Sequence, residues 1–229
     1  MPETIALIPA RGGSRRIPRK NIKNFLGVPA LARVVHTLQT SQVIDRVIVS
    51  TDDREIASVA QAAGAEVPFI RPVELADDHT GARPVIQHAI EAAELAPGTQ
   101  LGVFYPTAVL TTPDDVSSSS KLFQNEPCDF VISVVEFPAP IERALDIDER
   151  GGVSSRHTEF TQTRTQDLRP AYYDTGQFYW GSVDAWQSDV PVVQSRTHAF
   201  IIDPWRTVDI DTPDDWRRAE LLHQVLHAQ

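Results

Sequence analysis

Residues 5–21, IALIPARGGSRRIPRKN, decide the fold, because an apolar run breaks here into a glycine-rich cationic loop. A short apolar run followed by glycine predicts a buried strand. Gly12 and Gly13 permit backbone conformations that other residues avoid, and they let a ligand approach the main chain. Backbone N–H groups in such a turn can form an anion-binding concavity. Five cations accompany the turn: Arg11, Arg15, Arg16, Arg19 and Lys20. The stretch therefore predicts a strand that leads into a polyphosphate-binding loop.

The charge distribution favours a small anionic ligand over a nucleic acid. The chain has a net charge of −10, yet no Asp or Glu lies between Thr4 and Ile44. A focused cationic region in an acidic protein is typical of a small-anion site, whereas nucleic-acid binders are more often basic overall. The alternative is a solvated basic loop without a ligand. The loop matches neither the Walker A pattern nor the dinucleotide fingerprint.

Length and composition predict one cytoplasmic domain spanning residues 1–229. A chain of 229 residues with 41% hydrophobic residues can form one α/β core. Cys128 has no intrachain disulfide partner, which fits a reducing compartment. The first apolar run is too short for a signal peptide, and no stretch has the length of a membrane span. We therefore expect no membrane partner.

The first half of the chain alternates between strand and helix patterns. Strands are predicted at 46–50, 67–70 and 101–105, and helices at 31–38, 55–63 and 85–95. The strand at 67–70 is weakened by Pro68. Uninterrupted alternation predicts a mostly parallel sheet with helices on both faces, which is a three-layer α/β/α fold.

The second half contains two similar helix starts and one irregular stretch. Thr112-Pro113-Asp114-Asp115 recurs as Thr212-Pro213-Asp214-Asp215, and both copies are typical of an N-cap followed by proline and acids. Further strands are predicted at 130–135, 178–180 and 199–202. Between residues 136 and 177 the alternation is lost, and long irregular stretches in compact domains are usually functional. We interpret 136–177 as an inserted arm or lid that contacts a partner subunit.

Polar side chains follow four of the predicted strands. Arg11–Gly13, Thr51–Asp53, Arg71 and Tyr105–Thr107 each come directly after a strand. Ligands of open parallel sheets bind beyond the carboxyl ends of the strands. The coincidence of four such clusters predicts a single site at that edge.

Asp209-Ile210-Asp211 is the second chemical signal. On an extended segment both carboxylates point to the same side, while Ile210 faces the core. Two adjacent carboxylates are costly unless a cation neutralises them, and Mg²⁺ binds one or two carboxylates together with phosphate oxygens. The alternative is that Asp211 caps the last helix or faces solvent. Together with a phosphate loop, the pair indicates Mg²⁺-assisted phosphoryl or nucleotidyl transfer.

Six segments closely resemble the acylneuraminate cytidylyltransferase family. This family has a Rossmann-like sheet of the nucleotide-diphospho-sugar transferase type. Two of the segments, 105–108 and 174–181, are most similar to the pseudaminic acid branch. The matching segments are 8–21, 49–53, 71–76, 105–108, 174–181 and 209–215.

The resemblance implies transfer of CMP from CTP to a nine-carbon 2-keto sugar acid, with release of pyrophosphate. It implies catalytic roles for Arg11, Lys20 and Asp211. Nucleotide binding is expected from Ala10, Arg11, Gly12, Gly13, Lys20, Asn21 and Arg71. Sugar-acid contacts are expected from Tyr105, Thr107, Arg164, Gln177 and Tyr179, and Mg²⁺ ligation is expected from Asp209 and Asp211. The 136–177 segment matches the dimerisation arm, which implies a homodimer.

Other interpretations stay open at this point. Within the same chemistry, the acceptor is alternatively sialic, legionaminic or 3-deoxy-manno-octulosonic acid. A nucleotide-binding regulator without catalysis is an alternative of another class, although retention of both Asp209 and Asp211 argues against it. Nucleic-acid binding through the arginine loop would require strongly salt-dependent affinity.

Overall fold

The computed structural model describes residues 2–77, 80–194 and 196–228. The strands are β1 Thr4–Pro9, β2 Asn24–Phe25, β3 Val28–Pro29, β4 Arg46–Ser50, β5 Gln100–Phe104, β6 Phe130–Glu136, β7 Leu145–Ile147, β8 Val153–Ser155, β9 Tyr172–Ser182 and β10 Thr197–Ile201. The helices are α1 Ala30–Thr40, α2 Arg54–Ala62, α3 Ala82–Ala92, α4 Pro113–Asn125, α5 Val183–Gln187 and α6 Pro213–Leu226. In this part of the chain no helix has the length and apolarity needed to cross a membrane.

A six-stranded sheet forms the centre, in the order β10-β6-β9-β5-β1-β4. β1 pairs in parallel with both β4 and β5, and β10 pairs in parallel with β6. The prediction of a mostly parallel α/β sheet is confirmed. β9 is antiparallel to both of its neighbours, β5 and β6. Parallel neighbours need a crossover, usually helical, and the segment between β6 and β9 contains no α-helix, so β9 returns in the opposite direction.

Helices cover both faces of the sheet, which gives three layers. Ala6 and Ile8 of β1 pack in a core cluster with residues of α1, α2, α4 and α6. The alternate residues Ile5 and Leu7 pack on the other face with residues of α3 and α5. Successive strand side chains point to opposite faces, so an uninterrupted apolar strand such as β1 is buried on both sides.

Both predicted helix starts are confirmed. Thr112 caps α4 and Thr212 caps α6, and each hydroxyl accepts a hydrogen bond from the amide three residues later. The carboxylates of Asp115 and Asp215 accept hydrogen bonds from the capping residue in return. These two aspartates therefore complete capping boxes, as the pattern predicts.

The predicted strand at 67–70 is wrong. Only Glu66 pairs there, through an isolated bridge with Ile48 at the edge of β4. Pro68 has no N–H to contribute to a ladder, which explains why the pairing ends. The chain nevertheless stays beside β4, because the Arg71 N–H donates to the Thr51 carbonyl at 2.8 Å.

The irregular stretch is shorter than the predicted 136–177. Glu136 ends β6, and residues 172–177 belong to β9 in the central sheet. Residues 137–171 lie outside that sheet and carry the β7–β8 hairpin. Hairpin side chains Leu145, Ile147 and Val153 are each more than half exposed.

Candidate active site

A cleft of about 280 Å³ opens at the carboxyl end of β1. Its walls include Pro9 at the end of β1, Tyr105 after β5 and the start of α3. Five of its lining residues are cationic and two are anionic: Arg11, Arg15, Arg16, Lys20, Arg71, Asp77 and Asp211. The cleft therefore suits an anionic ligand, as the basic loop predicts.

Hydrogen bonds from both sides fix the backbone of the basic loop. The Ala10 N–H donates to the Ser50 carbonyl, and the Gly12 N–H donates to Asp52 Oδ1, both at 2.9 Å. Asn21 is buried, and its Nδ2 donates to the Arg11 carbonyl at 2.8 Å. A triphosphate would reach the amides of Ala10 and Gly12 only by exchanging these bonds. The phosphate-binding roles of these residues stay predictions.

Glycine is needed at position 12 for space. A Cβ there would lie 2.9 Å from Asp53 Oδ2, closer than real Cβ atoms approach a neighbour. Gly13 is exposed and has open space around it. The two glycines therefore differ: Gly12 allows the loop to pack against the turn after β4, whereas Gly13 leaves the surface of the loop open.

The turn after β4 holds the basic loop through Arg19. The Arg19 guanidinium forms two hydrogen bonds with Asp53, at 2.5 and 3.1 Å, and another with Glu55 at 2.5 Å. Asp53 also caps α2 by accepting from the amides of Glu55 and Ile56. The Arg19 guanidinium lowers the pKa of the Asp53 carboxyl to about 2, and the helix amides add to this effect. Arg19 adopts a left-handed conformation with φ of 55°, so this contact holds a residue in an unfavourable backbone region.

The residues on either side of Arg19 in the loop, Arg16 and Lys20, meet the second aspartate pair. Arg16 Nη2 lies 2.8 Å from Asp211 Oδ1, and Lys20 Nζ lies 3.4 Å from the same oxygen. Lys20 also donates to the Ile210 carbonyl at 2.6 Å. The structure thus brings together residues that are 190 positions apart in the chain.

The aspartate pair has the chemistry of a divalent-cation site. Burial raises the pKa of Asp209, and the nearby charge of Asp211 raises it further, although Asp209 is exposed at the residue level. A bound cation relieves this cost of the charged form of Asp209. Within residues 2–77, 80–194 and 196–228 no group of three or more His, Cys, Asp or Glu side chains can hold a metal. Two carboxylates suit Mg²⁺, which takes few protein ligands when substrate phosphates supply the others.

Arg71 is buried and its guanidinium is held from several directions. It donates to the hydroxyl and to the carbonyl of Ser50, and to the Leu75 carbonyl at 3.4 Å. Burial lowers the pKa of Arg71. Because the side chain also lines the cleft, it can present a guanidinium of fixed orientation to a ligand.

Two of the predicted sugar-acid residues line the cleft. Tyr105 and Thr107 do so, and the Tyr105 ring lies edge-on to the ring of Tyr179 at 6.1 Å. Tyr179 donates to Asp174 Oδ2 at 2.6 Å, and burial raises the pKa of its phenol. Tyr179 therefore packs against Tyr105, which lines the cleft.

The other two predicted sugar-acid residues are placed differently. Gln177 is buried, and its amide accepts from Thr111 Oγ1 at 2.7 Å and donates to the Arg206 carbonyl at 2.9 Å. The backbone carbonyl of Gln177 accepts a hydrogen bond from the Tyr105 N–H at 2.9 Å, so Gln177 positions the Tyr105 loop. Arg164 lies in the irregular stretch, residues 137–171. It forms an ion pair with Asp167 at 2.8 Å and does not line this cleft. The structure of one chain does not bring Arg164 to the site.

Comparison with known proteins identifies the family. A family model described as cytidylyltransferase matches residues 5–101. The pseudaminic acid cytidylyltransferase of Campylobacter jejuni subsp. jejuni serotype O:2 is 35% identical over 231 residues, which cover 98% of both chains. N-acylneuraminate cytidylyltransferase B of Danio rerio is 33% identical over 217 residues, which cover 94% of this chain and 50% of that protein. The chain belongs to the acylneuraminate cytidylyltransferase family.

Solved structures agree with this cytidylyltransferase fold. A CMP:2-keto-3-deoxy-manno-octonic acid synthetase in complex with CTP superposes with a TM-score of 0.72 at 17% identity. The match covers 98% of this chain and 99% of that one. At such low identity the likeness supports the fold alone. The predicted family and fold class are confirmed.

Sequence reasoning missed several lining residues of this cytidylyltransferase. Arg15 and Arg16 were recognised as part of the basic cluster but received no individual role. The apolar periodicity predicts that α3 starts at residue 85, whereas the helix begins at Ala82 and its first turn lines the cleft. Thr80 and Gly81, directly before the helix, were a usable signal, since small and hydroxyl residues are common at helix starts.

Proposed function

We propose that this protein transfers CMP from CTP to the anomeric hydroxyl of a nine-carbon 2-keto sugar acid, most specifically pseudaminic acid, and releases pyrophosphate. One observation carries the proposal: the basic loop and Asp211 share one cleft, where Lys20 and Arg16 contact the carboxylate. The choice of pseudaminic acid is supported by two Campylobacter relatives of that name at 34% and 35% identity.

The chain's own cations supply most of the charge that a triphosphate needs. Arg11 and Lys20 line the cleft from the basic loop and would bind phosphate oxygens, Arg11 bidentately through its guanidinium and Lys20 through its ammonium group. Nucleotidyl transfer needs little covalent chemistry from the protein, so positioning and charge neutralisation dominate catalysis. Asn21 and Arg71 have fixed side chains and would orient the nucleotide.

Asp209 and Asp211 would hold Mg²⁺. When bound, the metal would neutralise phosphate charge and help to orient the acceptor hydroxyl. The support is the chemistry of the donor pair: burial and then the nearby charge of Asp211 raise the pKa of Asp209, and a cation would relieve both effects.

Tyr105, Thr107 and Tyr179 would form the sugar-acid side of the site. The first two line the cleft, and Tyr179 supports Tyr105. Gln177 would act on the sugar through the Tyr105 loop that it holds.

The protein would function as a cytoplasmic homodimer through the arm, residues 137–171. Exposed Leu145, Ile147 and Val153 offer the arm an apolar contact surface. Arg164, whose guanidinium suits a carboxylate, would then reach the partner subunit's cleft. Ile147→Glu should shift the mass measured by light scattering from dimer to monomer. Val225→Glu, at an apolar position of α6 that is also more than half exposed, is the matched control and should stay dimeric.

A substrate panel tests the transferase proposal. Pseudaminic, N-acetylneuraminic, legionaminic and 3-deoxy-manno-octulosonic acids are each supplied with CTP and Mg²⁺, and pyrophosphate release is measured. The highest kcat/KM is expected with pseudaminic acid. Faster turnover of another acid would replace that substrate. CTP binding without turnover of any acid would favour a regulatory protein.

A further inference from the structure

The carboxylate of Asp211 already has cationic neighbours in the nucleotide-free protein. Arg16 Nη2 is 2.8 Å from Oδ1, and Lys20 Nζ is 3.4 Å from the same oxygen. A divalent cation that approaches this oxygen meets repulsion from both groups. Metal binding to Asp211 therefore competes with these contacts.

The two cations are not equally committed to this position. Lys20 is held by its 2.6 Å hydrogen bond to the Ile210 carbonyl, and its side chain is 21% exposed. The Arg16 side chain is 67% exposed and makes the shorter contact with the carboxylate. Exposed ion pairs are weak, so Arg16 can leave Asp211 at little cost.

A bound triphosphate would give Arg16 another partner. Arg16 lines the same cleft as Arg11 and Arg15, where the phosphates would lie. A guanidinium binds phosphate oxygens bidentately, and this contact would be stronger than one with a single carboxylate oxygen. Arrival of the nucleotide would thus release the carboxylate.

We propose that Arg16 is a resident counter-ion of Asp211 that makes metal and nucleotide binding cooperative. Without nucleotide, Arg16 opposes the metal; with nucleotide, it moves to the phosphates and Asp211 accepts the metal. The inference rests on the metal role in the proposed function. Cooperativity of this kind is reciprocal, so Mg²⁺ should strengthen CTP binding by the same factor.

Mn²⁺ binding to the nucleotide-free protein tests the competition directly. Free Mn²⁺ is titrated by electron paramagnetic resonance with wild type, Arg16→Gln and Arg15→Gln. Arg16→Gln should bind Mn²⁺ about threefold to fivefold more tightly, the effect of removing one exposed ion pair. Arg15 carries the same charge in the same cleft, so Arg15→Gln controls for the general field and should change the affinity less than about twofold.

Calorimetry of CTP binding, with and without Mg²⁺ and without sugar acid, gives a second readout. The gain in CTP affinity that Mg²⁺ provides should be smaller in Arg16→Gln than in wild type. An equal rise in Mn²⁺ affinity in both arginine variants would overturn the proposal. So would absence of any rise, or of any Mn²⁺ binding, in Arg16→Gln.

A double variant separates this inference from the proposed function. If Arg16→Gln/Asp211→Asn binds Mn²⁺ as tightly as Arg16→Gln, the metal does not use Asp211, and the proposed metal role fails together with the inference. If Mn²⁺ binding depends on Asp211 but not on Arg16, the metal role stands and only the inference fails. If the Mn²⁺ results are as expected while no sugar acid is turned over, the counter-ion role stands and the transferase proposal fails.

Discussion

Two aspartates contact neighbouring residues of the basic loop, and they use its arginines in opposite ways. Asp53 receives two hydrogen bonds from Arg19 and caps α2. Asp211 receives one contact from Arg16 and a longer one from Lys20. The first carboxylate is committed to backbone and guanidinium donors, whereas the second keeps a weak, exposed ion pair inside the cleft. In this molecule the carboxylate with more donors has a structural role, whereas Asp211, which has fewer, is the one that we assign to the metal.

The largest expected effect is the loss of activity when Asp211, the carboxylate with fewer donors, is changed. Asp211→Asn keeps the shape of the side chain but removes the charge that we assign to the metal. Cytidylyl transfer should fall by about a thousandfold, because a bound metal contributes several kilocalories per mole to transition-state stabilisation. The free energy of unfolding should change by less than about 1 kcal/mol, since the lost ion pairs are partly exposed. Rates from pyrophosphate release and a urea unfolding curve check both parts. Full activity in this variant would contradict the metal role of Asp211 and its proposed difference from Asp53.

The next effect is the loss of stability when Asp53, the carboxylate with more donors, is changed. Asp53→Ala removes the cap of α2 and the partner of Arg19, and it should lower the free energy of unfolding by about 2 kcal/mol. Asp53→Asn is the matched control, since asparagine caps helices as well as aspartate does and only the ion pair is weakened. It should cost about half as much. If Asp53→Ala unfolds at the wild-type urea concentration, the turn after β4 does not anchor the loop.

The smallest effect is a pH dependence of the stability that the Asp53 carboxylate contributes. The pKa of Asp53 is lowered from its ordinary 3.8 to about 2, so its charge stabilises the fold above 3.8 and that contribution is lost as the pH falls through about 2. The stability difference between wild type and Asp53→Asn should therefore be constant above pH 4 and shrink toward pH 2. Urea unfolding over this range measures it. A constant difference down to pH 2 would contradict the ion pair.

Much of the first half of the chain was predictable, because its signals are local. The strand at β1, the crossover helices and the cap at Thr112 each follow from apolar periodicity or from hydrogen bonding within a few residues. The exception is 67–70, where an apolar run with Pro68 resembles a strand, but the only bridge is made by Glu66, directly before the run. Periodicity indicates that a segment is apolar and extended; here β4 has a free edge, but Pro68 has no N–H to continue the pairing.

The second half was less predictable. β9 lies between β5 and β6 and is antiparallel to both, yet its sequence shows only that it is apolar and extended. Gln177 carries no local sign that its amide is used up by Thr111 and Arg206. For Arg164, one chain places the side chain outside the cleft, and its sugar-acid role depends on the proposed dimer.

The amino-acid sequence by itself determined the strand-to-loop transition at residues 5–21, the capping boxes, the chemistry of the loop and the family. These depend on backbone propensity and on side chains close together in the chain. Only the tertiary structure decided that Arg19 pairs with Asp53 while Arg16 pairs with Asp211, because those contacts join residues more than 30 positions apart. Which cation meets which carboxylate depends on strand order and on the path of the loop over the sheet, and these are set by the packing of the whole core.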